Sequence, residues 1–193
     1  CFEGKAYCND WEILDKDDAR NPQKKRVIRV RFFAQLDAYE FQSYHDVMGK
    51  FLNFPAWKDY VAYSDNIKIE YSVRLPSVVD AEGRTVHRHE VHYEMKGPPI
   101  IGGKIAVREA ALYTEMETYP EAISSWKIQH DSSYHLQGVK EKTGEVHLQY
   151  LKDQELYRGF VVLYIIPEIN ILPQVGAPYV MNSLADIFKG MFN

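Results

Sequence analysis

From Ile67 to Leu75 the chain alternates without a break: Ile67, Ile69, Tyr71, Val73 and Leu75 are apolar or aromatic, and Lys68, Glu70, Ser72 and Arg74 between them are polar. Side chains of an extended backbone point to two faces in turn, so a period of two means a strand with one dry face and one wet face. Such a strand needs pairing partners and a cover for its dry face, which excludes an all-helical fold. The pattern recurs. Arg26 to Gln35 sets Ile28, Val30 and Phe32 against Arg29 and Arg31. After the turn Asp80-Ala81-Glu82-Gly83, the segment Thr85 to Lys96 carries His87, His89, Val91, Tyr93 and Met95 on one face. Lys104 to Glu117, Ala122 to His130 and Glu145 to Leu151 read as further strands, the last introduced by a hairpin signal at Thr143-Gly144. Leu156 to Ile166 is apolar on both faces, as expected of a strand covered by another layer.

Helical signals lie near the two ends of this array. Asp37 is placed to cap a helix, with Glu40 three residues on to complete a capping box. Its apolar face is Phe41, Tyr44, Met48, Phe51 and Leu52. Asn53-Phe54-Pro55 breaks it, and Pro55 suits the first turn of a second short helix through Trp57 to Tyr60. Pro167 to Pro178 holds three prolines and Gly176 and reads as a connector. Beyond it Val180, Leu184, Ile187, Phe188 and Met191 form one apolar stripe at helical spacing.

Residues 1–24 are polar and irregular, and read as an N-terminal extension packed through Trp11 and Ile13, ahead of one domain over 25–193. The chain begins at Cys1 and carries its two cysteines at positions 1 and 8. A disulfide between them, lipid modification of Cys1 and two free thiols are the three readings; the first two favour an exported, periplasmic or secreted, location over a cytoplasmic one. The net charge of -4 comes with basic residues scattered among acidic ones, which argues against nucleic acid as a partner. The richest apolar run, Phe160 to Pro167, is far short of the ~18 residues a spanning helix needs.

The order of elements is strand, two short helices, about six strands and a long helix. In that order, and in the stretch Phe51-Leu52-Asn53-Phe54-Pro55-Ala56-Trp57, the chain resembles the START-like (helix-grip) superfamily, which includes polyketide cyclases and lipid-transfer START domains. A weaker similarity is the Pro/Gly loop 97–103 ahead of a strand with a basic residue. The resemblance implies an α+β fold in which a curved antiparallel sheet of about seven strands grips the C-terminal helix, with a ligand cavity between them. A hydrophobic small molecule, such as a lipid, sterol-like or aromatic compound, is then the expected partner. A cyclase- or aromatase-like enzyme using Arg108, His130 and Tyr93, and an interaction module with a filled core, are the alternatives. The resemblance brings no catalytic set, cofactor or metal with it.

Turning the more apolar face of each strand inward gives a candidate lining. It comprises Ile69, Val73, His87, His89, Val91, Tyr93, Arg108, Leu112, Trp126, Ile128 and His130, with Leu184 and Phe188 from the helix. Arg108 is the polar residue of greatest interest, because a guanidinium on a greasy face can bind a carboxylate through a forked hydrogen bond. It can equally belong to an ion pair, or lie in solvent if the face is assigned one residue out of step. His87 and His89 share a face while His92 points away, so this run gives at most two zinc ligands, with His130 as a conceivable third. Hydrogen-bonded histidines are the preferred reading. Ile100 and Ile101, framed by Pro and Gly, tuck into the domain, lid a cavity or touch a membrane transiently.

Overall fold

The computed structural model describes residues 7–37, 43–118, 124–131, 139–167 and 173–192. Eight strands form one sheet in the order β1-β2-β8-β7-β6-β5-β4-β3, and every neighbouring pair is antiparallel. They are β1 (Tyr7–Leu14), β2 (Val27–Asp37), β3 (Ile67–Val79), β4 (Thr85–Lys96), β5 (Lys104–Thr118), β6 (Ser124–His130), β7 (Val139–Leu151) and β8 (Leu156–Pro167). Two helices, α1 (Tyr44–Phe51) and α2 (Trp57–Tyr60), carry the chain from β2 to the far edge at β3, and α3 (Pro173–Phe192) follows β8.

The sheet is bent around α3. This helix touches both β2 and β4, between which four other strands lie in the sheet. At ~4.8 Å per strand that separation is about 24 Å along the sheet, twice the ~10–12 Å width of a helix, so contact with both requires a strong curve. The inward residues Val30, Phe32, Val91, Ile128, Val161 and Leu163 join Ile187, Phe188 and Met191 of α3 in one buried core. Phe188 stacks on Phe32 with centroids 4.4 Å apart, which fixes the helix against β2.

The C-terminal half of α3 is tied down closely. At Gly190 an added Cβ would sit 1.8 Å from the Tyr60 carbonyl oxygen, so only glycine lets α3 and α2 approach this far. The Lys50 ammonium donates to the Met191 carbonyl at 3.1 Å. Asp186 Oδ2 accepts from Ser64 Oγ at 2.5 Å and from Asn66 Nδ2 at 2.9 Å, pinning the middle of the helix to the α2–β3 turn.

Several elements differ from the sequence expectation. The sheet has eight strands because the N-terminal segment, read as irregular, supplies β1; its Leu14 is 1% exposed and Arg31 of β2 grips Asp10 through two hydrogen bonds of 2.6 and 2.7 Å. Cys8 is disulfide-bonded, while Cys1 lies outside the described residues. Helix α1 is capped by Ser43, not by Asp37: Ser43 Oγ accepts from the Asp46 N–H and the Asp46 carboxylate accepts from the Ser43 N–H, a complete capping box. Glu40 and Phe41, part of the expected start, lie outside the described residues. Strand β7 begins at Val139, and Thr143-Gly144 is in its middle, not a turn. Gly144 is there because β7 and β8 run so close that a Cβ would meet the Val162 oxygen at 2.3 Å. Helix α3 begins at Pro173, with Pro178 inside it at the cost of one backbone hydrogen bond. No helix of the described residues is long and apolar enough to cross a membrane.

Candidate functional site: a cavity between the sheet and the C-terminal helix

The bend of the sheet leaves a cavity of about 170 Å³ beside α3. Its walls are Ile28, Val30, Ile67, Ile69, Val91, Met95, Ile105, Val107, Ile128, Val161, Leu163 and Ile165 from the sheet, with Ala177, Val180, Leu184, Ile187 and Phe188 from α3. Phe51 and Trp57 also line it. Six half-buried lining residues, Ile28, Ile105, Val139, Pro167, Gly176 and Val180, cluster at the end of the sheet where α3 starts, which marks an opening there. The loop 97–103 joins β4 to β5 at this same end, and its Ile100 is 85% exposed, not tucked into the domain.

Five polar side chains interrupt the apolar wall: Tyr93, Glu109, Tyr113, Lys142 and Ser183, the last with its hydroxyl donating to the Tyr179 carbonyl at 3.0 Å. The positions of the first four follow from register. Glu109 pairs with Val91 across β4–β5, and Tyr93 with Val107, so the phenol and the carboxylate are diagonal neighbours on the inner face. Strand β6 pairs with β5 only as far as Ala111, where His130 ends it. Beyond that point Lys142 of β7 reaches across to β5 and its ammonium donates to Glu109 Oε1. The pair is deeply buried, with side-chain exposures of 14% for Lys142 and 7% for Glu109. Glu109 Oε2 has no hydrogen-bond partner among the described residues. Burial first, and the charge of Glu109 second, push the ionisation of both phenols upward, so Tyr93 and Tyr113 keep their protons.

The structure brings Ile69, Val91, Tyr93, Ile128, Leu184 and Phe188 of the expected lining together around this cavity. The others sit elsewhere. Arg108 is exposed, because the inward face of β5 is Ile105, Val107, Glu109, Ala111 and Tyr113; Leu112 shares the outward face with it. Val73 is turned out by a register shift between Ile69 and Tyr71, after which Ser72 pairs with Val91 and becomes the buried residue. His87, His89 and Trp126 face inward but further along the strands, beyond the cavity, where His87 lies 5.8 Å from Trp126 between ring centroids. His130 bonds the Ala110 carbonyl at 3.1 Å and is not part of the lining. Arg108, His130 and Tyr93 are therefore not assembled at one point. Glu109, Lys142 and Tyr113 were the residues the sequence reading missed.

His89 is a structural group. It is 0% exposed, lies flat on Phe54 with centroids 4.2 Å apart, and meets Trp57 edge-on at 4.8 Å. Ser72 Oγ donates to the Phe54 carbonyl at 2.5 Å, so at 2.8 Å it accepts from His89 Nε2–H, leaving Nδ1 a buried acceptor. Burial, aided by the Lys142 charge, pushes this imidazole down to about 3. Among the described residues no group of three or more His, Cys, Asp or Glu side chains is placed to hold a metal ion.

Among solved structures the chain is similar to a START superfamily protein from Mycobacterium smegmatis, with 14% identity, a TM-score of 0.49, and coverage of 85% of this chain and 96% of that one. No family model and no curated protein matches the chain.

Proposed function

We propose that this protein binds and carries a hydrophobic small molecule in the cavity between its sheet and α3. The observation that supports this most is the cavity of about 170 Å³, walled almost entirely by aliphatic and aromatic side chains. Native interiors pack as densely as organic crystals, and a void of this size forfeits contacts unless something fills it. An apolar cavity of ~150 Å³ is large enough to stay dry and take up a benzene ring. Sites for drug-sized ligands run to ~300–1,000 Å³. A guest of one or two rings, or a short branched chain, therefore suits the space as it stands, and a two-chain lipid does not.

Binding would draw on removal of apolar surface from water, at about 25 cal/mol per Å². The half-buried residues at the start of α3 give the guest a short route in. Native mass spectrometry of protein taken from its producing cells, followed by solvent extraction, tests this reading. A lipophile of low mass co-purifying in stoichiometric amount is the expected result. Protein that is empty under every condition, and that takes up no small aromatic compound offered to it, overturns the reading.

A further inference from the structure

We infer that the guest carries a neutral hydroxyl head, a phenol or a compact alcohol, which Tyr93 and Tyr113 hold inside the cavity. This rests on the cavity binding an apolar molecule, and adds what distinguishes one such molecule from another.

Glu109 Oε1 is bound by Lys142, and its Oε2 is covered from the cavity as well as from solvent, so a guest meets the charge of this carboxylate without bonding to it. Tyr93 and Tyr113 reach the same cavity, and neither phenol oxygen has a hydrogen-bond partner among the described residues. Buried tyrosine hydroxyls ordinarily find one. An apolar chamber thus holds two spare hydroxyls, which can donate or accept.

Charge decides which head fits. Glu109 and Lys142 neutralise one another, so the chamber is polar without net charge. A carboxylate guest would add an uncompensated anion beside Glu109, and an ammonium guest would do the same to Lys142; an unpaired charge in such surroundings is heavily disfavoured. A pure hydrocarbon enters but leaves both phenols unpaired. A hydroxyl both donates and accepts, so it pairs with either phenol in either role. The ion pair has a structural side too, since it bridges β5 and β7 where β6 ends.

Three probes of nearly one shape separate the possibilities: naphthalene, 2-naphthol and 2-naphthoate, titrated into the whole protein by calorimetry. The expected order is 2-naphthol about tenfold tighter than naphthalene, the worth of one net hydrogen bond, with 2-naphthoate weakest. Tyr93→Phe and Tyr113→Phe remove hydroxyls that no described residue uses, so their melting temperatures should match or exceed that of the parent. In the double variant the tenfold preference should shrink to about twofold or less. If naphthalene binds and 2-naphthol is no better, or 2-naphthoate is preferred, the hydroxyl-head inference is wrong and the cavity reading stands. Should 2-naphthol keep its advantage in the double variant, these phenols are not what holds it. If none of the three binds, both readings fall.

Discussion

Acidification should weaken this fold through one residue, and the size of the effect follows from burial. The His89 imidazole is held at about 3 in the folded protein, against 6.5 for the free group. A base with a lowered folded pKa binds its proton more readily when the chain is unfolded. Stability is therefore complete above about pH 6.5, declines as pH falls below it, and stops declining near pH 3. At about pH 5 the unfolded chain is 1.5 units into protonation while His89 in the folded state is still neutral. At ~1.36 kcal/mol per unit this amounts to about 2 kcal/mol lost relative to pH 8. The assay is urea unfolding at about pH 8 and pH 5, for the parent and for His89→Phe. Phenylalanine keeps the stack on Phe54 and leaves Ser72 bonded to the Phe54 carbonyl. The parent should lose about 2 kcal/mol more than the variant over that interval, since contributions from the other histidines cancel in the difference. Equal losses, or an imidazole that titrates near 6.5 by NMR in the folded parent, would refute the reasoning.

Gly190→Ala should destabilise the protein by about 3 kcal/mol or more in denaturant unfolding, because the new methyl collides with Tyr60 backbone; a neutral result would mean α2 and α3 are further apart. Glu109→Leu should cost about 3–5 kcal/mol by stranding the Lys142 ammonium, and adding Lys142→Leu should recover most of it in the same assay. Arg108→Ala, at an exposed site on the outward face of β5, should shift stability by less than about 0.5 kcal/mol and leave guest affinity unchanged by calorimetry.

The strands were legible wherever alternation was strict. Segment Thr85–Lys96 matches the observed β4 at both ends, because polar and apolar residues there separate cleanly onto two faces. Segment Lys104–Glu117 reads as a strand, and β5 runs one residue further to Thr118, but the faces are exchanged. Counting apolar residues favours Ala106, Ala110, Leu112 and Met116, whereas side-chain volume favours Ile105, Val107 and Tyr113, and volume is what a concave interior needs. That exchange hid Glu109. Lys142 was hidden by Gly144, whose local meaning is a turn and whose actual cause, a close approach of β8, is visible only in three dimensions. A register shift in β3 likewise reversed Val73 without any local trace. The start of α1 was readable: Ser43 and Asp46 have capping-box spacing, and Asp37 with Glu40 simply offered an earlier match to a similar pattern.

A guest between the sheet and α3 is tested most directly by intermolecular nuclear Overhauser effects between naphthalene protons and protein methyl groups. The expected contacts are to Val91 and Ile128 of the sheet together with Val180 and Leu184 of α3. Contacts confined to exposed residues such as Ile100, Val78 and Val79, or none at saturating naphthalene, would contradict it.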